Sequence, residues 1–238
     1  MRIVLLACVL VLGGCGARTG LEAPPPAPER PDAGRDAGRD AAVVDACAPA
    51  PETCDGTDED CDGAIDDGLT CYTLDGDPIE AITTTACGAE WYAYDAPDVA
   101  SANPSPDIRA ADRVAVAIVE SPPGCGGASI AVIADRPNDG TGGRLAASFR
   151  GEPAGRVLVG DEPGECVDVA GGVTCAWLWQ PCCTDGALVG PFAGDFCTEL
   201  RLESASGVTG VVVIDGDETI ERPFGAMTLC GRTVPEVR

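Results

Sequence analysis

Residues 52–68 read Glu-Thr-Cys-Asp-Gly-Thr-Asp-Glu-Asp-Cys-Asp-Gly-Ala-Ile-Asp-Asp-Gly, which places eight carboxylates in seventeen residues with no basic side chain among them. Like charges at that density repel, so the segment cannot compact alone, and a bound cation is the simplest neutralising agent. Asp58, Asp60 and Asp62 fall at positions 1, 3 and 5 of an Asp-x-Asp-x-Asp-Gly-x-x-Asp frame, with Asp66 at position 9. This is the first part of a calcium-loop pattern, in which a glycine at position 6 makes the sharp turn and the position-7 carbonyl faces the ion. Gly63 and Ala64 occupy those two positions, while position 12 is Leu69, so the usual bidentate Glu is absent. The expected ligands are Asp58, Asp60, Asp62, the Ala64 carbonyl and Asp66, with Asp55 or Asp67 completing the shell. The competing reading, a solvated acidic spacer, is disfavoured by the bracketing cysteines and the spaced glycines.

Four cysteines, Cys47, Cys54, Cys61 and Cys71, bracket this stretch with gaps of six, six and nine residues. Zinc sites use closer pairs, with two to four residues between ligands. These four are therefore read as cystines, which would supply the order that so short a module cannot draw from a core of its own.

The same residues carry a family resemblance. Glu-x-Cys-Asp-Gly-x-Asp-Glu-Asp-Cys-Asp-Gly-x-Ile-Asp-Asp-Gly resembles the short metal-binding motif of secreted bacterial surface proteins, especially those of myxobacteria and related delta-proteobacteria. It is also similar to thrombospondin type 3 calcium repeats. The resemblance covers residues 47–71 and implies metal binding on an exported protein, with no catalytic activity. One branch of that family is associated with copper. Copper favours imidazole, thiolate or thioether, whereas carboxylate oxygens suit calcium or magnesium. The chain has no His, and Met227 is its one methionine after Met1. Structural calcium is the expected cofactor.

The elements that must carry this module follow from the rest of the chain. Residues 3–12 form an apolar run behind Arg2, too short for a bilayer span and suited to a secretory signal over residues 1–14. Leu12-Gly13-Gly14-Cys15 resembles a bacterial lipobox, so Cys15 is the expected lipidation site and the membrane an expected partner through that anchor. The resemblance implies a cell-envelope location, with Gly16 after the cysteine favouring the outer membrane; an ordinary cleaved secretion signal is the alternative. Residues 15–46 are rich in Pro, Ala and Asp and read as a disordered tether. If extended at about 3.1 Å per residue, some 35 residues would hold the folded part up to ~100 Å from the membrane.

From residue 79 to 238 the pattern is strand-like. Residues 79–85, 90–94, 113–119, 129–134, 144–149, 156–159, 173–179, 198–203, 207–214 and 226–230 are short apolar or β-branched runs between Gly, Pro, Asn and Asp. Val114, Val116 and Ile118 share one face, as do Val173, Cys175, Trp177 and Trp179, the period of half-buried antiparallel strands. The expected fold class is mostly β: a disulfide-rich β-sandwich behind a small calcium-loop module and a disordered tether. Of fourteen cysteines, Cys8 leaves with the signal and Cys15 takes lipid. The twelve others are disulfide candidates: the four around the acidic stretch, and Cys87, Cys125, Cys166, Cys175, Cys182, Cys183, Cys197 and Cys230. Separate partners are expected for Cys182 and Cys183, with a vicinal bond acting as a redox switch as the alternative. Trp177 and Trp179, with Trp91, Tyr92 and Tyr94, could form a sugar platform, although their place in an apolar strand favours core. Asp215-Gly216-Asp217 reads as a hairpin turn.

Charge and composition exclude several functions. The formal net charge is −24 and all fifteen basic residues are Arg, so nucleic acid is an unfavourable partner. Without His or Lys, triads built on His, Ser-Lys pairs and Schiff bases cannot form. The expected function is non-catalytic: binding or adhesion at the cell surface, with a surface protein or glycan as the partner. A carbohydrate-active protein is the alternative, as a sugar-binding module or a carboxylate-based hydrolase.

Overall fold

A computed structural model describes residues 50–93, 104, 106, 108–160 and 162–234. The signal segment, Cys15, the tether, Cys47 and Tyr94 lie outside the described residues. In chain order the elements begin β1 (Thr70–Leu74), β2 (Asp77–Ile79), β3 (Ile82–Thr83), α1 (Gly88–Tyr92), β4 (Arg113–Glu120), β5 (Ala128–Ala134) and β6 (Gly143–Glu152). They continue β7 (Arg156–Gly160), β8 (Cys166–Val169), β9 (Gly172–Trp179), β10 (Asp185–Phe192), β11 (Phe196–Ser206), β12 (Gly210–Asp215), β13 (Glu218–Arg222) and β14 (Gly225–Thr233). One sheet runs β2-β1-β14-β11-β6-β9-β8, and the other β13-β12-β4-β5-β10-β7 with β3 joined to β4. Pairing is antiparallel except where β3 and β12 lie parallel to β4.

The two sheets pack face to face as a mostly β, disulfide-containing sandwich, the fold class that the strand pattern predicts. Alternation decides what fills the core. Val114, Val116 and Ile118 of β4 point between the sheets, as do Val173, Cys175, Trp177 and Trp179 of β9. Ala117 and Val119, on the opposite face of β4, are buried too, because Tyr92, Ala131, Ile133 and Leu188 pack with them in a second cluster. Helix α1 brings Tyr92 there, and the phenol donates to the Val132 carbonyl at 2.7 Å. Burial and the negative charge of Glu120 raise the Tyr72 phenol pKa above its ordinary value on the other side of the fold.

Several expectations need correction. Residues 90–94 read as a strand, yet residues 88–92 are helical, with the N–H groups of Glu90 and Trp91 bonded to the Cys87 carbonyl. The aromatic Trp-Tyr pair raises strand propensity, but packing of Tyr92 and the Cys87–Cys125 bridge override it. The sandwich starts at Thr70 rather than at residue 79, since β1 pairs with β14 from Thr70↔Thr233 to Leu74↔Leu229. β10 was hidden by its glycines and by Pro191, which a bulge between Val189 and Phe192 accommodates. Cys182 and Cys183 do not reach separate partners: they are bonded to each other. Cys87–Cys125, Cys166–Cys175 and Cys197–Cys230 complete the four bridges of the sandwich.

Aspartates fasten the ends of the sheets. Asp215 accepts the Glu80 N–H at 2.7 Å and Asp168 accepts the Val157 N–H at 2.9 Å, each bond running from one sheet to the chain of the other. Asp75 and Asp195 accept the N–H groups of Thr228 and Thr233, both at 2.8 Å. The fully buried Asp135 takes the Asp112 N–H at 2.9 Å and the Trp179 indole N–H at 3.1 Å. Trp177 is equally buried, but its indole N–H has no hydrogen-bond partner among the described residues. The two tryptophans therefore respond differently to the same change. Trp179→Phe removes a donor from a buried carboxylate oxygen, whereas Trp177→Phe removes a donor that already lacks an acceptor. Trp179→Phe is expected to cost about 1–3 kcal/mol more than Trp177→Phe, measured as the difference in urea unfolding free energy. Equal costs would show that the Trp179–Asp135 bond adds nothing.

Candidate metal centre

The acidic residues form a loop that runs directly into β1. It is fastened at its C-terminal end, where Gly68 N–H donates to the Val234 carbonyl and Val234 N–H to the Leu69 carbonyl, both at 2.9 Å. The Cys54–Cys71 bridge ties its N-terminal part to the same strand. Cys61 is also disulfide-bonded. Within the loop, carboxylates take the place of a missing sheet partner. Glu52 Oε1 accepts Asp60 N–H at 2.8 Å, Asp60 Oδ1 accepts Asp62 N–H at 3.1 Å and Asp62 Oδ1 accepts Ala64 N–H at 2.8 Å. Asp58 Oδ2 accepts Gly63 N–H at 3.0 Å. Gly63 has φ +94, the left-handed conformation required by the sharp turn expected there.

These bonds draw the side chains together. Glu52, Asp58 and Asp60 each offer an oxygen within 4.8 Å of the others, and so do Asp60, Asp62 and Asp67. Asp60 belongs to both groups. Glu52 spends one oxygen on Asp60 N–H, and its other oxygen, Oε2, is enclosed with no hydrogen-bond partner among the described residues. An all-oxygen donor set with an enclosed, unbonded carboxylate oxygen fits a hard divalent cation. The acidic clusters could therefore hold a metal ion.

The expected ligands are divided by this geometry. Asp58, Asp60, Asp62 and Asp67 are gathered, and Ala64 joins the loop through its N–H. Asp66, at φ 54, instead accepts the N–H groups of Asp55 and Gly56 at 3.2 and 3.0 Å. Asp55 closes its own turn by accepting Thr57 N–H at 2.9 Å and the Thr57 hydroxyl. Those bonds, the hydroxyl first, hold the Asp55 carboxyl below its ordinary value. Asp55 and Asp66 line a groove of about 650 Å³ beside the loop, with the Cys54–Cys71 and Cys197–Cys230 bridges, Tyr72 and Arg232 in its walls. Glu52 was missed as a candidate because it precedes the Asp-x-Asp-x-Asp frame by six positions. Only folding back of the loop brings it in.

Charge crowding is visible at Asp60. Its bond from Asp62 N–H favours the carboxylate, but desolvation and the negative charges of Asp62, Glu52 and Asp67 outweigh it, and the pKa is raised above 3.8.

A second carboxylate group, Asp112, Asp135 and Asp139, lies near Trp179. Burial, with a hydrogen bond shared with Asp139, raises the Asp135 carboxyl above its ordinary value against the backbone donors that lower it. Here the buried carboxylate is engaged by Asp112 N–H and the Trp179 indole, the bonding of a structural group. No protein-family model, curated protein or solved structure matches the chain.

A carboxyl whose pKa rises on folding binds its proton more tightly in the folded chain, so its folded charge costs stability as pH rises past the ordinary value. In chelator, the protein is expected to gain thermal stability as pH falls from 7 towards the window just above 3.8. Asp60→Asn should raise the pH 7 midpoint in chelator and flatten that rise. A midpoint unchanged by the substitution would show that the crowding carries no cost.

Proposed function

We propose that residues 52–67 hold one structural calcium ion, and that the chain is a non-catalytic surface lipoprotein whose sandwich serves binding or adhesion at the cell envelope. The observation that carries the calcium reading is the convergence of Glu52, Asp58, Asp60, Asp62 and Asp67 into two oxygen groups sharing Asp60. Calcium accepts six to eight oxygens in flexible geometry, whereas magnesium demands a near-ideal octahedron and keeps its waters. A loop that must neutralise several carboxylates at once suits the larger ion. Binding there would fix the end of β1, since Asp67 is buried and its neighbours Gly68 and Leu69 bond to Val234.

Export is supported by the disulfides, which belong to an oxidising compartment, and anchorage by the lipobox-like Cys15. The groove lined by Asp55 and Asp66 is the proposed place for a surface protein or glycan to meet the sandwich. For the carbohydrate alternative, Trp177 and Trp179 are in the core and supply no sugar platform. The large exposed apolar side chains among the described residues are Ile65, Val167, Val169 and Leu178, none of them aromatic.

The test is a calcium titration of the soluble chain lacking Cys15 lipidation, by calorimetry and thermal midpoint, against an Asp60→Ala, Asp62→Ala double variant. Near one equivalent should bind the parent and raise its midpoint, by about 2.7 kcal/mol in unfolding free energy at a hundredfold excess over Kd. The double variant should do neither. Equal calcium responses in the two proteins would end the proposal.

A further inference from the structure

Among the bridges with both cysteines described, each joins separate elements or distant points, with one exception. Cys54–Cys71, Cys87–Cys125, Cys166–Cys175 and Cys197–Cys230 span 17, 38, 9 and 33 positions, whereas Cys182–Cys183 spans one. A cross-link stabilises chiefly by restricting the unfolded chain, and the effect grows with the loop it closes. Bonding neighbours closes no loop, so this bridge does not staple the fold.

Its surroundings also differ. Cys166 lies directly opposite Cys175 in the β8–β9 ladder, and Cys197 directly opposite Cys230 in the β11–β14 ladder. If either bridge were reduced, strand pairing would hold its thiols together and favour re-closure. Cys182 and Cys183 sit instead in the connection that leaves β9 in one sheet and enters β10 in the other. The local turn is marked by one backbone bond, Cys183 N–H to the Gln180 carbonyl at 2.9 Å. The two sulfurs are unequally placed: Cys182 is exposed and Cys183 is 1% exposed.

We propose that Cys182–Cys183 is a reversible thiol–disulfide exchange site that takes an external dithiol as its reductant. A thiolate of the dithiol attacks the exposed Cys182 sulfur. The Cys182–Cys183 bond breaks, and Cys183 leaves as a thiolate and takes up a proton. The second thiol of the reductant, after losing its proton, attacks its own sulfur in the mixed disulfide, closes the reductant's disulfide and releases Cys182, which is protonated in turn. Two electrons and two protons pass from the dithiol to the pair, and an oxidised dithiol reverses the exchange. The inference is independent of the calcium site.

The experiment equilibrates the native whole chain in buffers of graded reduced-to-oxidised dithiothreitol, blocks free thiols with N-ethylmaleimide and maps the peptides by mass spectrometry. The Cys182–Cys183 peptide should gain two labels at a reductant ratio about ten-fold or more below that which labels the Cys166, Cys175, Cys197 and Cys230 peptides. Returning the sample to oxidised buffer before blocking should abolish the label. A Cys182→Ser, Cys183→Ser double variant should keep the other bridges and show no early label. Labelling of the pair only together with the others, or mapping that joins either cysteine to a different partner, would overturn the proposal.

Discussion

Thirty-nine carboxylates share this chain with fifteen guanidiniums and no other side-chain cation, so ion pairing cannot satisfy most of them. Arg113–Glu221 at 3.3 Å is an example of such a pair, exposed on its acidic side and of little energetic weight. Among the described residues the commoner arrangement is a carboxylate accepting a backbone N–H. It closes the turns of the acidic loop and secures Glu80, Val157, Thr228 and Thr233 at the margins of the sheets. Such bonds are charge-assisted, and they cover donors that a sheet margin leaves without a strand partner. A high acidic content is thus compatible with an ordered all-β fold because the backbone, rather than a second side chain, receives the charge.

The acidic loop takes that arrangement to its limit. A backbone N–H supplies only a partial positive charge, so each bond orients a carboxylate without cancelling it. Orientation by Asp60, Asp62 and Gly63 N–H groups brings the remaining oxygens closer, which intensifies the repulsion that a cation would relieve. Sheet and loop depend on each other here, since the loop closes onto Val234 beyond the end of β14.

The parts legible in the sequence are those set by short-range periodicity. Val114-x-Val116-x-Ile118 and Val173-x-Cys175-x-Trp177-x-Trp179 state which face is buried, and the packed sheets agree. Asp215-Gly216-Asp217 states a hairpin, and β12 and β13 pair across it. Tertiary contacts decided the rest. Tyr92 is helical because its hydroxyl and ring have a place against β5, β4 and β10. β10 tolerates Pro191 because a bulge releases the ladder locally. Glu52 and Asp67 join the acidic clusters by chain reversal, while Asp66, placed well by its spacing, turns to the N–H groups of Asp55 and Gly56. Spacing names residue types, but the turns decide which of them converge.

Thr70 stands opposite Thr233, 163 residues later, and this register governs the order of events in synthesis. β14 lies between β1 and β11, so the first sheet keeps a gap between those two strands until Gly225–Thr233 has emerged. Before then, Gly68 and Leu69 lack the Val234 partner that fastens the end of the loop. Such a topology has high contact order, and its loop-closure entropy is met only late in folding. A nascent chain stalled after β11 but before Gly225 would expose an unpaired edge on β11. Native assembly of the acidic loop is therefore gated by the arrival of β14.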